Sequence, residues 1–341
     1  MEKHKFKKIL VVRTDRIGDV ILTLPLVNAL KRNFPSAKVT MLVSHYTAEL
    51  MEGVAETILY TQENGRCKPF METLKHLRRE NFDLAIVAYP RFRLALLLWL
   101  AGIPYRVGTG YRWYSLLFNK RVYEHRRTVE KHEAEYNISL LSVLGCTDLK
   151  NLEAHININE KDREVAKKVW KELGFADNAR LIILHPGSGG SARNWKPERF
   201  SELAKELAKR GFSVAVTGTQ NEKNIVDAVT KGTGENVKPF ISNISLKEFA
   251  AFIESAKLFV SNSTGPLHIA AVVGTPVIGF YPPVLVMSPK RWGPLTDKKA
   301  IFVPDPMKCP ICKNGKCRGS ECMDQIGVKE VVETAIKLID K

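Results

Sequence analysis

Apolar positions along the chain follow two patterns. Short unbroken apolar runs, rich in β-branched residues, predict strands buried on both faces of a parallel sheet. These runs cover residues 9–12, 38–43, 82–88, 103–108, 181–184, 213–217, 258–260 and 276–281. Stripes with three- and four-residue spacing predict helices between and beyond the runs. The stripes cover residues 20–30, 47–51, 70–80, 92–101, 130–144, 162–173, 197–210, 222–230, 246–255, 267–273 and 328–339. Alternation of strands and helices predicts the α/β class with doubly wound parallel sheets.

A polar, broken segment divides this pattern into two series. It predicts an N-terminal domain of residues 1–155 and a C-terminal domain of residues 156–325. The second domain includes a cysteine-rich loop at residues 305–325, and a C-terminal helix follows at residues 326–341. A chain of 341 residues is long enough for two domains.

The location of the protein is predicted from its most apolar stretches. Residues 94–101 fall short of the ~18 consecutive apolar residues of a membrane span, so we expect a buried or interfacial helix. The first twelve residues combine charges with a strand and offer no small-residue cleavage site. These features predict a cytoplasmic protein.

The charge balance indicates an anionic partner. The formal net charge is +16, which suits nucleic acid, a membrane surface or a phosphorylated substrate, and charge alone does not choose among them.

The turn after the first predicted strand is the first candidate site. Parallel strands bring such turns to the carboxyl edge of the sheet, where open α/β folds bind ligands. Asp19 lies in this turn, next to Gly18, which lets another group approach the backbone. The alternative is that Asp15 or Asp19 only caps the following helix.

A second candidate is the small-residue loop that follows the run at residues 181–184. Backbone N–H groups at Ser188 and Gly189 can approach an anion, and Arg193 and Lys196 add positive charge. The loop matches neither a Walker loop nor a dinucleotide fingerprint, and most such loops are only turns.

Two further strand ends carry polar groups. Glu222 is placed to accept hydrogen bonds from ribose hydroxyls, or else its charge favours the first turn of a helix. Ser263, Thr264 and Gly265 offer hydroxyls and N–H groups at a strand-to-helix turn. His268 follows in the first helical turn, where a histidine is more often structural than catalytic.

Four cysteines crowd into one segment: Cys309, Cys312, Cys317 and Cys322. Four thiolates suit tetrahedral zinc, with iron as the second choice. Two disulfides or four free thiols are the alternatives.

The combined motifs resemble the heptosyltransferase family of GT-B glycosyltransferases. The resemblance rests on RTDRIGDVILTLP at residues 13–25, LHPGSGGSARNWKPERF at 184–200, SNSTGPLHIAAVVGTPVIGFY at 261–281 and the cysteine segment at 308–326. It covers nearly the whole chain, and the order and spacing of the motifs are more specific than any one of them. It implies two Rossmann-like domains facing a central cleft. It also implies transfer of a heptose from ADP-heptose to the inner core of lipopolysaccharide, onto Kdo or heptose attached to lipid A.

The resemblance also implies roles for individual residues. Asp19 matches the general base of an inverting displacement, and Glu222 matches the position at the nucleotide ribose. Backbone donors at Ser188, Thr264 and Gly265, together with Arg193, would stabilise charge on the departing ADP. No metal-binding Asp-x-Asp pair is evident, which predicts no cofactor for catalysis.

Two departures from the family pattern affect the donor site. Ser263 stands where many members carry Asp, which removes a charge. Arg193 stands where some relatives have Lys, and the two side chains bind phosphate with different geometry.

The resemblance assigns the positive surplus to an anionic acceptor and membrane. The acceptor would be a phosphorylated lipid, and the enzyme would be peripheral on the cytoplasmic face of the inner membrane. The candidate cations are Arg13, Arg16, Arg106, Arg112, Arg126 and Arg127, and the first four of them are predicted to bind the acceptor. Two alternatives remain: the same scaffold acting on another nucleotide sugar and acceptor, and a basic nucleic-acid-binding protein. The second lacks a recognisable nucleic-acid-binding module, so we expect no nucleic-acid partner.

Overall fold

The computed structural model divides into two compact units, Met1–Asn157 and Ile158–Lys341. The residues it describes are 6–147, 149–190, 193–241, 243–308 and 321–340. The division follows Asn157, next to the boundary predicted from the sequence.

The first unit is built on a six-stranded parallel sheet in the order β3-β2-β1-β4-β5-β6. Its strands are β1 (Lys8–Val12), β2 (Lys38–Val43), β3 (Glu56–Leu59), β4 (Leu84–Val87), β5 (Tyr105–Thr109) and β6 (Lys120–Val122). Strand β1 lies between β2 and β4, and Ile9 pairs with Val39 on one side and with Leu84 on the other.

The second unit repeats this topology in the order β12-β11-β10-β7-β8-β9. Its strands are β7 (Leu181–His185), β8 (Ser213–Gly218), β9 (Val237–Ile241), β10 (Leu258–Asn262), β11 (Val277–Phe280) and β12 (Lys299–Phe302). Both sheets have the strand order of a Rossmann fold, so the predicted pair of Rossmann-like sheets is confirmed.

Helices alternate with the strands in both units. Those of the first unit are α1 (Ile17–Ile21), α2 (Leu24–Asn33), α3 (His45–Ala48), α4 (Phe70–Glu80), α5 (Phe92–Leu100) and α6 (Glu133–Ile138). Those of the second unit are α7 (Glu160–Glu172), α8 (Pro197–Lys209), α9 (Lys223–Thr230), α10 (Leu246–Glu254), α11 (Gly265–Val272), α12 (Pro289–Trp292) and α13 (Val328–Ile339). Helix α13 packs against α8, within the second unit.

The strand order fixes where each unit can bind a ligand. In a doubly wound sheet the connections leave in opposite directions at the point where the order reverses, which opens a crevice at the carboxyl ends of the strands. That point lies between β1 and β4 in the first sheet and between β7 and β10 in the second. The candidate segment with Asp19 follows β1, the one with Ser188 follows β7, and the one with Thr264 follows β10. The segment with Glu222 follows β8, the neighbour of β7.

Two predicted helices are broken in the structure. The stripe at residues 20–30 belongs to α1 and α2, because Pro25 has no N–H to donate to the carbonyl of Ile21. The helix predicted at residues 130–144 was wrong as a single element: α6 is followed by a 3₁₀ helix at Ser139–Leu144. Its start is later than predicted because Val129 has a φ of 51° and His132 caps the helix through its side chain.

The most apolar stretch forms α5. Its Leu94, Leu97 and Leu98 are buried, whereas Phe92 and Trp99 are exposed. Among the described residues, no helix combines the length and the apolar character needed to span a bilayer.

Candidate active site

A buried arginine organises the switch point of the first unit. The side chain of Arg13, the first residue after β1, is 3% exposed and forms ion pairs with three carboxylates. Its Nε lies 2.7 Å from Asp15 Oδ1, its Nη1 lies 3.3 Å from Glu133 Oε1, and its Nη2 donates to Asp19 Oδ1. Burial lowers the pKa of Arg13, but the three carboxylates raise it well above its usual value. The guanidinium is therefore a fixed cation that orients the carboxylate of Asp19.

Helix α6 holds Arg13 from the opposite side. Glu133 is 1% exposed and accepts hydrogen bonds from both Arg13 and Arg126. Asn137, one turn later and fully buried, accepts from the same two arginines at 3.4 and 3.3 Å. Its Nδ2 donates to Leu22 O at 3.0 Å, which ties α6 to the end of α1. The geometry around Asp19 thus depends on residues more than 110 positions away in the sequence.

The alternative in which an aspartate only caps α1 does not hold. The N-cap residue is Arg16, and no side chain forms a capping hydrogen bond there. Asp19 keeps part of its side chain exposed, 15%, while its carboxylate is paired with Arg13. Burial raises the pKa of the neighbouring Asp15 to about 6, against the opposing effect of Arg13.

The four arginines predicted to bind the acceptor have different environments. Arg16 and Arg112 are exposed. Arg13 is buried among carboxylates, as described above. Arg106 turns inward, and its guanidinium donates to the backbone carbonyls of Leu117 and Ile103. Arg13 therefore does not present its charge to solvent, and the half-buried Arg106 is held by backbone carbonyls.

An asparagine connects the two loops at the switch point of the second unit. Asn262, the last residue of β10, is fully buried. Its Nδ2 donates to Pro186 O at 2.7 Å, and its Oδ1 accepts from the Trp195 N–H at 2.7 Å. Trp195 Nε1 in turn donates to Ile326 O at 3.1 Å. Both ends of the small-residue loop after β7 are therefore fixed, although Ser191 and Ala192 within it lie outside the described residues.

The carboxylate of Glu222 lies directly against this loop. A Cβ on Gly187 would be 2.0 Å from Glu222 Oε1, so only glycine allows this approach. The Oε2 atom accepts hydrogen bonds from the Thr219 N–H at 3.0 Å and from its hydroxyl at 2.9 Å. Burial raises the pKa of Glu222, but hydrogen bonds from Thr219 and Gly189 and the nearby His185 hold it below its usual value. Glu222 thus closes a capping box at Thr219 and lies against the predicted anion loop, while its role at the ribose stays a prediction.

The turn after β10 presents the start of α11. Thr264 is the N-cap residue, but its side chain makes no capping hydrogen bond. Its Oγ1 is buried and has no hydrogen-bond partner among the described residues. Gly265 begins the helix, and Ser263 precedes the turn, with its N–H donating to Phe280 O at 3.1 Å. His268 is 4% exposed inside α11, and its assignment to the donor site stays a prediction.

The two cations of the loop after β7, Arg193 and Lys196, contact residues that follow the undescribed range 309–320. Lys196 Nζ is 2.6 Å from Asp324 Oδ2, and this hydrogen bond raises the pKa of Lys196. Arg193 Nη1 is 3.9 Å from Cys322 Sγ. The described end of the cysteine segment, at Cys322 and Asp324, is therefore in contact with the loop after β7.

The predicted metal site lies mostly outside the described residues. This is the case for Cys309, Cys312 and Cys317, whereas Cys322 is buried and forms no disulfide with another described cysteine. Within the described ranges, no three side chains of His, Cys, Asp or Glu form a group that could hold a metal ion. A zinc or iron at the four cysteines stays a prediction.

Sequence reasoning missed three residues of these sites: Glu133, Asn137 and Asn262. Glu133 and Asn137 lie in a helix without a motif, and no local signal identifies them. Asn262 ends an apolar strand directly before the Ser-Thr-Gly turn, and a polar residue at that position could have been noted.

Comparisons with known proteins give a consistent picture. The model of the family described as Glycosyltransferase family 9 (heptosyltransferase) matches residues 71–322. A Haemophilus influenzae protein that carries only the general description of a glycosyltransferase is 32% identical over 310 residues, which are 87% of this chain and 89% of that protein. Lipopolysaccharide heptosyltransferase 3 of Escherichia coli K12 is 28% identical over 287 residues, 77% of this chain and 79% of that protein.

A solved structure shows the same architecture. The ADP-heptose lipopolysaccharide heptosyltransferase II of Escherichia coli superposes with a TM-score of 0.78 at 22% identity, covering 97% of this chain and 98% of its own. This likeness shows the fold, which is the GT-B class predicted from the sequence.

Proposed function

The chain belongs to glycosyltransferase family 9, and from that premise we propose that it transfers a heptose from ADP-heptose to the inner core of lipopolysaccharide. Membership makes it a glycosyltransferase of the heptosyltransferase type. The names of the relatives from Escherichia coli support the finer assignment of ADP-heptose as donor and lipopolysaccharide as acceptor.

One observation carries this proposal: Asp19 is held by a buried arginine at the switch point of its sheet, yet part of its carboxylate side chain is exposed. A general base must first reach the hydroxyl whose proton it removes, and only then does its pKa matter. We assign this role to Asp19. The acceptor oxygen forms a bond to the anomeric carbon, the bond from that carbon to the β-phosphate oxygen breaks, and ADP leaves with the electron pair. The hydroxyl proton passes to Asp19, and the configuration inverts.

The second unit supplies the groups for the nucleotide. We assign Glu222 to the ribose, because its carboxylate lies directly against the loop after β7. A Cβ on Gly187 of that loop would be only 2.0 Å from Glu222 Oε1. Backbone donors at Ser188 and Gly189, the unpartnered Thr264 hydroxyl and the N–H groups at Gly265 suit the diphosphate. Arg193 adds a positive charge to this set. We leave Lys196 out of it, because its ammonium is already paired with Asp324.

The departing ADP gains negative charge as the glycosidic carbon becomes cationic. Fixed donors that point at the place where charge develops stabilise the transition state more than the ground state. The clamp formed by Asn262 makes the loop after β7 such a fixed element. This scheme needs no metal ion for the transfer step.

We assign acceptor recognition to Arg16 and Arg112, which are the exposed members of the four arginines predicted to bind the acceptor. Arg13 becomes a positioning residue for Asp19, and Arg106 a structural residue of the first unit. The acceptor is a phosphorylated lipid A carrying Kdo or heptose, so the enzyme works at the anionic inner face of the inner membrane as a peripheral, cytoplasmic protein. The basic surplus of the chain supports this part of the proposal.

Calorimetry of the purified protein against ADP, UDP and GDP tests the donor. Binding of ADP in clear preference to the other two, together with release of ADP from ADP-heptose when a lipopolysaccharide core acceptor is added, is the expected result. Preference for UDP or GDP would reassign the same scaffold to another nucleotide sugar.

A further inference from the structure

A short 3₁₀ helix in the first unit points two large apolar side chains into solvent. The helix spans Trp113–Leu117, and residues three apart in a 3₁₀ helix lie on the same side. Trp113 is 74% exposed and Leu116 is 69% exposed, whereas Tyr114 and Leu117 are buried. The buried side anchors the helix to the unit, so its apolar outer side is held in place.

Helix α5 continues this surface. The ring of Phe92 lies 4.8 Å from that of Trp113, centroid to centroid. Phe92, Leu96 and Trp99 follow one another at helical spacing and share one side of α5. Phe92 is 42% exposed, Trp99 is 50% exposed and Leu96 is half-buried. We call the five side chains of Phe92, Leu96, Trp99, Trp113 and Leu116 the apolar face.

The segment that carries the apolar face has positive charges and no negative ones. Residues 84–123 contain six lysines and arginines and no aspartate or glutamate, in a chain that has 36 acidic residues overall. Arg91 and Arg112 are exposed, and they are the N-cap residues of α5 and of the 3₁₀ helix. Arg91 directly precedes Phe92 and Arg112 directly precedes Trp113, and the rings of these two aromatic residues are in contact. Both cations therefore lie at the same end of the apolar face.

This combination points to one kind of partner. We propose that the apolar face docks the enzyme on a lipid surface with anionic headgroups, with Trp113 and Leu116 entering the interface and Arg91 and Arg112 contacting the headgroups. Exposed apolar surface supplies binding energy at a bilayer interface, and cations beside it add attraction to anionic lipid. Tryptophan is favoured at the level of the headgroups. The proposal rests on the proposed function, since it names the surface that would bring a lipid-linked acceptor to the enzyme.

A second copy of the chain is a poorer occupant. A symmetric dimer through this face would place the cations of one copy near those of the other. The segment 84–123 offers no acidic residue to compensate them. Like charges brought together at an interface disfavour association.

The apolar face also adjoins the edge that carries Asp19. The guanidinium of Arg91 lies 4.5 Å from the centre of the Tyr89 ring, and that of Arg13 lies 5.9 Å from the same centre. Tyr89 thus stands between the basic end of the apolar face and the arginine that orients Asp19. A lipid headgroup held at Arg91 would place the attached saccharide near this edge.

Co-sedimentation with vesicles tests the proposal without any sugar transfer. The probes are vesicles of phosphatidylethanolamine with phosphatidylglycerol, and vesicles of phosphatidylcholine alone. The protein should bind the vesicles that contain phosphatidylglycerol, dissociate from them as salt is added, and bind the phosphatidylcholine vesicles weakly.

Trp113→Ser combined with Leu116→Ser should lower binding to the anionic vesicles about tenfold or more, and Arg91→Gln should lower it about fivefold. The matched controls are Leu285→Ser with Met287→Ser, two exposed apolar residues of the second unit, and Lys205→Gln, an exposed cation there. They should bind like the wild type.

Further measurements separate the outcomes. Thermal unfolding establishes that the variants are folded. Turnover on a delipidated, water-soluble acceptor should be unchanged in the Trp113→Ser and Leu116→Ser variant. Three results would overturn the proposal. The variant could bind vesicles as well as the wild type, or it could lose turnover on the soluble acceptor. The wild type could also be a dimer that the variant converts to monomers. If the wild type binds anionic vesicles through this face but transfers no sugar, the docking surface stands and the proposed function fails.

Discussion

The guanidinium of Arg13 and the carboxylate of Asp19 form an ion pair at the carboxyl end of β1. The same guanidinium also takes Asp15 and Glu133, so three carboxylates share one buried cation. Asp19 therefore shares the attraction of Arg13 with two other carboxylates. Its Oδ1 is held in position by the ion pair, while its Oδ2 can still accept a proton. This arrangement is the basis of the first three predictions.

Asp19→Asn should lower turnover by roughly 100-fold or more, because the amide cannot take the acceptor proton. The affinity for ADP, measured by calorimetry, should stay close to that of the wild type, since the nucleotide groups are assigned to the other unit. Glu198→Gln is a matched control, because Glu198 is also an acid in the first turn of a helix. A variant with normal turnover, or with lost ADP binding, would show that Asp19 is not the base.

Glu133→Gln should act on catalysis from outside the reacting atoms. The amide keeps the shape but removes the charge that fixes Arg13, so we expect kcat to fall about tenfold with unchanged ADP affinity. The free energy of unfolding should fall by about 1–3 kcal/mol, because two arginines lose part of their compensation.

A purely structural role for Glu133 is distinguished by a double variant. If Glu133 acts through Asp19, then Asp19→Asn combined with Glu133→Gln should be no slower than Asp19→Asn alone. If the losses in kcat of the two single variants multiply in the double variant, then Glu133 acts independently of Asp19. Glu124→Gln, which removes the carboxylate paired with Lys131, controls for the loss of an ion pair in the same unit.

The pKa of Asp15, raised by burial to about 6, predicts a pH dependence. Below this pH Asp15 is neutral, and the Nε of Arg13 loses the charged carboxylate that holds it. Above it, the ionised Asp15 fixes the guanidinium that orients Asp19. We therefore expect kcat/KM to rise between about pH 5 and pH 7, and Asp15→Asn to remove this step. A pH–rate profile of both proteins measures it; an identical step in the variant would assign the titration to another group.

The sequence predicted the inner strands of both sheets and none of the outer ones. The strands that it missed are β3, β6, β9 and β12, which are the edges of the two sheets. An inner strand is covered on both faces and reads as a continuous apolar run, as in Leu84–Val87. An edge strand such as Lys120–Val122 carries charges that discourage pairing with other chains, so its sequence does not look like a strand.

The candidate sites show a similar division. Asp19, Glu222 and Thr264 could be predicted because a residue after a buried strand must lie at the carboxyl edge of the sheet. The partners that fix them could not, because Glu133 meets Arg13 only through tertiary packing. The orientation of Arg106 was also beyond the sequence, since a charged side chain that satisfies backbone carbonyls looks no different in sequence from one exposed to solvent.

The cysteine segment gives a prediction about metal content. If Cys309, Cys312, Cys317 and Cys322 hold one ion, protein purified without chelator should contain about one zinc or iron per chain. Cys312→Ser should lose the metal and unfold at a lower temperature, because the binding energy of the ion contributes to folding. Cys146→Ser, which removes a cysteine outside this segment, should keep both. Metal-free wild-type protein that melts at the same temperature as Cys312→Ser would exclude the site.

Gly187→Ala tests the nucleotide site by a single methyl group. The new Cβ would lie 2.0 Å from Glu222 Oε1 and 2.4 Å from its Cδ, so the carboxylate must move away from the loop after β7. If Glu222 holds the ribose, this displacement should weaken ADP binding about tenfold, which is the cost of one lost hydrogen bond to a charged group. Glu222→Gln should weaken it to a similar degree, and the two changes together should not add, because they remove the same contact. Gly327→Ala is the control, because no described residue other than its chain neighbours lies within 4 Å of a Cβ at that position, and it should bind ADP normally. ADP binding by Gly187→Ala that matches this control would mean that Glu222 serves only to close the turn at Thr219.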